Sequence, residues 1–158
     1  MVSCIDVEAP NLTFGFVDDG DLRSVLEEYY SQAVRAAAGD SYLGVIVGCG
    51  SVVEGLLTWG LLQRPDEALQ SGKAPKDKQG DVLPVERWGL AQLIDVSADL
   101  DMIGKTAKQA AWALKDFRNF IHPYNVLTQS ARPDAALAMS ALAAVAEIRR
   151  SLEGHLPK

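Results

Sequence analysis

The chain has 158 residues, with 15 Lys or Arg against 21 Asp or Glu, a formal net charge of −6. That length fits one domain able to bury its own core without staples. The acidic balance argues against a sequence-independent DNA binder, which needs a basic face.

Residues 1–20 show no sustained period and are expected to be irregular; "APN", "FG" and "DDGD" are turn chemistry. The stretch lacks the basic start and apolar run of a secretory leader. "DDGD" reads as a helix cap and acidic first turn, because no further carboxylates follow at calcium-loop spacing. A helical domain is expected over 21–158. Its first helix spans 21–38, with Leu22, Val25, Leu26, Tyr29, Ala33 and Ala37 at helical spacing and Gly39 as the left-handed stop.

The second helix is expected over 41–64. "SYLGVIVGCGSVVEGLLTWGLLQ" is nearly long enough to span a bilayer. Glu54 lies in its middle, where a charge costs at least ~2.5 kcal/mol on insertion scales. The segment therefore reads as the central buried helix of a soluble bundle, with no membrane as partner, and Cys49 as a small core residue. Its five glycines each cost about 1 kcal/mol in helix propensity, which predicts close approach of neighbouring helices.

Residues 71–82, with Lys73, Lys76 and Lys78, read as a surface loop. A third helix is expected over 84–96, with Pro84 at its first position. A fourth spans 105–121. A fifth spans 133–153, opened by Pro133, stopped by Gly154, and lined by Leu137, Ala141, Ala144, Val145, Ile148 and Leu152. Trp59, Trp88 and Trp112 are expected in the core or at a subunit interface. No strand alternation or repeat is visible, so the fold expected is all-α: four or five antiparallel helices around one core.

The fourth helix carries two stripes. Ala107, Ala110, Leu114, Phe117 and Ile121 follow core spacing, whereas Lys115, Arg118 or Asn119, and His122 share a second face. Arg offers a fork of donors suited to phosphate, His exchanges a proton near neutral pH, and Asn bonds donors or acceptors. Such a set could cleave RNA without a metal. Pro123 and a cation at a helix end equally make an ordinary helix terminus. Tyr124 follows closely and could flank a ligand or anchor the loop through its hydroxyl. Glu54 must be paired or neutral if buried, and could orient Arg118 or His122. No His/Cys cluster, phosphate-binding glycine loop or Ser–His–Asp set suggests a metal or cofactor. The two cysteines, Cys4 and Cys49, lack metal-ligand spacing, and a reducing cytoplasm is the expected compartment.

The pair "GSVVEGLLTWGLL" and "LKDFRNFIHP", in that order, resembles the HEPN superfamily of all-α domains, over roughly residues 21–153. The resemblance implies a helical bundle that often dimerises. Many members are metal-independent RNases found as toxins, defence proteins and RNA-processing factors; others are inactive modules that bind a nucleotide, RNA or a protein partner. The family's active motif is usually R-x(4–6)-H with a polar residue after the Arg, and two copies form one site. Carried onto this chain, the motif makes His122, Arg118 and Asn119 catalytic, with Lys115 adding charge at the phosphate; Tyr124, just beyond the motif, is a further candidate for contact with the RNA. Here only three residues separate Arg118 from His122, and Lys115 stands where a subgroup carries Arg. Toxin-like members imply an antitoxin-like partner.

Overall fold

Helix α1 (Gly20–Ala38) starts where the Asp19 carboxylate accepts a hydrogen bond from the Leu22 amide at 2.9 Å, with Asp21 in the first turn. The capping role read from "DDGD" is thus what the side chains do. The computed structural model describes Ala9 and residues 11–157, so Cys4 lies outside the described residues. Among the described residues there are seven α-helices and two short 3-10 segments, and no strand beyond one antiparallel bridge between Lys76 and Val82. Five longer helices make the bundle: α1, α2 (Tyr42–Leu62), α4 (Leu90–Asp99), α5 (Lys105–Phe117) and α7 (Ala135–His155). Two short ones, α3 (Pro65–Gln70) and α6 (Pro123–Gln129), lie between the expected helices.

Helix α2 is the centre, packing against α1, α4, α5 and α7. It is long and apolar enough to cross a membrane, but 61% of its most apolar window is buried inside the bundle. Its glycines admit neighbours closely. A methyl group added at Gly48 would stand 3.0 Å from the Ala33 side chain, one at Gly55 2.8 Å from Leu26, and one at Gly60 3.1 Å from Leu152. Cys49 is fully buried, and burial pushes its thiol from an ordinary 9.0 up to about 12.

Residues 11–19 form no regular element, yet they belong to the core. Phe14 and Val17 are fully buried, and Phe14 meets Tyr30 edge-on at 6.3 Å between ring centroids. The Arg149 guanidinium donates from Nε to the Thr13 carbonyl and lies over the Phe16 ring at 5.6 Å. Trp59 Nε1 donates to Asp18 at 3.1 Å.

Several boundaries differ from the sequence expectations for local reasons. Gly39 keeps φ −95°, and Asp40 takes the left-handed conformation instead, at φ 57°. Pro84 introduces a 3-10 turn over Val85–Arg87 rather than a helix. Trp88 Nε1 then donates to the Leu83 carbonyl at 2.8 Å, holding the break before α4 starts at Leu90. Pro133 lies outside α7, which Asp134 caps by accepting from the Leu137 amide at 2.8 Å; Gly154 sits inside its last turn. The lysine-bearing loop is a tied turn in which the Asp77 carboxylate accepts from the amides of Gln79 and Asp81, both at 2.9 Å.

Candidate functional site

On α5, Ala107, Ala111 and Leu114 are buried against the bundle. Ala111 takes the place expected for Ala110, because the buried stripe runs in steps of four and three. Lys115 flanks that stripe, one turn after Ala111, with its ammonium 5.1 Å from the centre of the Trp112 ring. Trp59 and Trp88 are buried; Trp112 is half-buried beneath that ammonium.

The expected helix over 105–121 ends at Phe117. Residues 118–121 form a tighter 3-10 turn, and His122 is extended at φ −90°, ψ 113°. Pro123 accounts for this, since its ring disfavours helical geometry in the residue before it. Pro123 also opens α6, as a proline at the first helical position can. Arg118 and His122 are therefore not stacked along one regular α-turn, as the sequence suggested. The junction is tied down by Asn119, whose carbonyl accepts from the His122 amide and from Asn125 Nδ2, each at 3.2 Å.

Lys115, Arg118, Asn119 and His122 nevertheless line one shallow, open depression of about 380 Å³, together with Leu90 and Ile121. Asn119 and His122 are exposed; Lys115 and Arg118 are half-buried. Arg118 donates from Nη1 to Glu54 Oε1 across 64 residues of sequence, and both side chains stay about a third exposed, at 37% and 36%. Glu54 is thus paired, as a charge in an apolar helix should be, but it is not deeply buried. The α2 face bearing Ser51, Glu54 and Thr58 is only partly covered. Tyr124 does not line the depression; it sits on α6 with 81% exposure and serves neither as wall nor as loop anchor. Leu90 and Gly50 were not singled out in the sequence. Leu90 shares helical spacing with Leu93 and Ile94 and so reads only as core; Gly50 is one glycine among five.

A second depression of about 340 Å³ lies across Ile121, with Leu43, Phe120, Pro123, Val126, Leu127 and Arg132 as its other walls. It is mostly apolar, and Leu127 is 67% exposed there. No cluster of three or more His, Cys, Asp or Glu side chains able to hold a metal occurs among the described residues. Comparison of the chain with family models, with curated proteins and with solved structures returns no match.

The charged depression offers two cations, an imidazole and an amide within one open wall. Such a set can hold a phosphate and move a proton beside it. The Glu54 carboxylate limits Arg118's freedom and directs its remaining donors, since one guanidinium carries five.

Proposed function

We propose that this chain is a HEPN-like helical protein that acts on RNA as a metal-independent endoribonuclease of the toxin or defence type, in the cytoplasm and as a homodimer. One observation carries the reading: Lys115, Arg118, Asn119 and His122 share a single open depression, with Arg118 held by Glu54. In this reaction the 2′-oxygen attacks the adjacent phosphorus, and the bond from phosphorus to the 5′-oxygen breaks. His122 accepts the 2′-hydroxyl proton or protonates the departing 5′-oxygen. Arg118, with Lys115, stabilises the charge growing on the phosphate. Asn119 positions the ribose or the phosphate.

One imidazole makes a thin site for both proton transfers, and a second copy would supply the other. The apolar depression beside Ile121, with exposed Leu127 and Leu43, supports a protein contact next to the charged one. A protein of this type would be restrained by an antitoxin-like partner.

A second reading is a non-catalytic module that binds a nucleotide, RNA or a protein partner. It is favoured by Lys115, which has charge but no fork, by the short spacing from Arg118 to His122, and by the shallowness of the depression.

The test is cleavage of end-labelled RNA by the wild type and by His122→Ala, with analysis of the product ends. The nuclease reading expects 2′,3′-cyclic phosphate ends, no effect of EDTA, and no cleavage of DNA, which lacks the attacking hydroxyl. His122→Ala should lower the rate by about 10²–10⁴-fold. Equal cleavage by both proteins would mark contamination and leave the binding module standing.

A further inference from the structure

Helix α2 spends five glycines, and their neighbours sort them. Gly44, Gly48, Gly55 and Gly60 sit against Ser41 and Ala36, Ala33, Leu26, and Leu152 with Met102, respectively. These are contacts of helix packing and capping. Gly50 is different. A methyl group built there would lie 3.1 Å from Cδ, 3.6 Å from Nε and 3.7 Å from Cγ of Arg118. Three consecutive stem atoms of that side chain rest on the bare backbone of α2.

Glu54 is four residues further along the same helix, hence on the same face and about 6 Å along the axis. That rise is about the reach of an arginine stem from Cγ to its terminal nitrogens. The stem therefore lies along α2, entering over Gly50 and ending on the Glu54 carboxylate. A methyl group at position 50 would crowd the stem, standing 3.1 Å from Cδ, so the stem would have to give by a few tenths of an ångström.

We infer that Gly50 is a positioning residue for the site: its missing side chain forms the slot that lays Arg118 against Glu54 and presents the guanidinium to the depression. This rests on the phosphate-binding reading given above. Gly50 touches no substrate and acts through Arg118 alone.

The experiment uses the full chain as wild type, Gly50→Ala, Arg118→Ala and the double variant. The first readout is the affinity for a 2′-O-methyl RNA oligonucleotide, which cannot be cleaved. Gly50→Ala should weaken binding roughly 10-fold, the scale of one charge-assisted hydrogen bond, and should change nothing in the Arg118→Ala background. The melting temperature should hold or rise, since alanine favours a helix over glycine. A merely structural role would move stability and binding down together. The second readout needs no RNA: the Arg118 side-chain Nε–H resonance, assigned by its loss in Arg118→Ala, should shift in Gly50→Ala and lose the sharpness of a held guanidinium. Unchanged binding alongside an unchanged resonance would overturn the inference, as would a loss of binding that persists without Arg118. If the wild type binds no RNA yet the resonance responds to Gly50→Ala, the RNA reading falls and the slot stands.

Discussion

Arg118 and Glu54 meet across 64 residues of sequence, the one from the end of α5 and the other from the middle of α2, and both keep about a third of their side-chain surface in solvent. This half-wet condition decides what the pair does. Exposed ion pairs contribute roughly 0–1 kcal/mol, whereas breaking a buried pair costs about 3–5 kcal/mol.

A double-mutant cycle on Glu54→Gln and Arg118→Gln, read by urea unfolding, should therefore give a coupling below about 1 kcal/mol. Binding of the 2′-O-methyl oligonucleotide should fall in both single variants, because the pair orients a donor more than it stabilises the fold. A coupling of several kcal/mol would place the pair in the structural core instead.

The N-terminal strap should matter far more to stability. Phe14 is fully buried in a segment without regular structure. Phe14→Ala should cost about 3–5 kcal/mol, the usual range for emptying an aromatic core position. Tyr124→Ala, at an exposed site, should stay within about 0.5 kcal/mol of the wild type. Chemical denaturation of the two variants side by side checks the contrast.

Alkaline pH should weaken the fold through Cys49. Its thiol rises from 9.0 to about 12 because of burial, and Tyr30 rises from 10.0 to about 12, through burial first and the Cys49 charge second. Both groups ionise more readily in the unfolded chain. Stability is therefore fully present below about pH 9 and declines as pH climbs from there towards 12. Cys49→Ala should flatten part of that decline in a pH series of unfolding curves. An identical slope in the variant would show that the thiol does not carry it.

Assembly is checked by sedimentation and by mixing. A dimer should persist at micromolar concentration. If two copies build one site that needs both imidazoles, excess His122→Ala mixed into the wild type should lower RNA cleavage well below that of the same amount of wild type alone. A monomer at high micromolar concentration would remove the composite site.

The sequence made the long elements legible because their apolar spacing is strong. The first two helices and the last are nearly where the expected spans 21–38, 41–64 and 133–153 put them. Prolines were harder. Pro65 and Pro123 each stop one helix and open another, and spacing alone shows only the stop. The six or seven residues that follow are too few for a period to emerge. Phe14 and Val17 were hidden for the opposite reason: an irregular strap buries side chains without any period at all. At the site, the lysine, arginine, asparagine and histidine could be named from their chemistry. Leu90 could not, because its contribution depends on where α4 meets the end of α5. Nor could the slot at Gly50, which depends on a side chain 68 residues away, as the difference between positions 118 and 50 gives.

The burial of α2 also sets a timetable for synthesis. Its 21 residues leave the ribosome after α1 and the strap, and α4, α5 and α7 follow later. At about 5–20 residues per second, the last helix is complete some seconds to tens of seconds after α2 appears. During that interval a segment apolar enough to enter a bilayer stands half-dressed. The nascent chain is then a natural client for chaperones that shield apolar helices, and slowing its translation beyond α2 should lengthen the time over which they hold it.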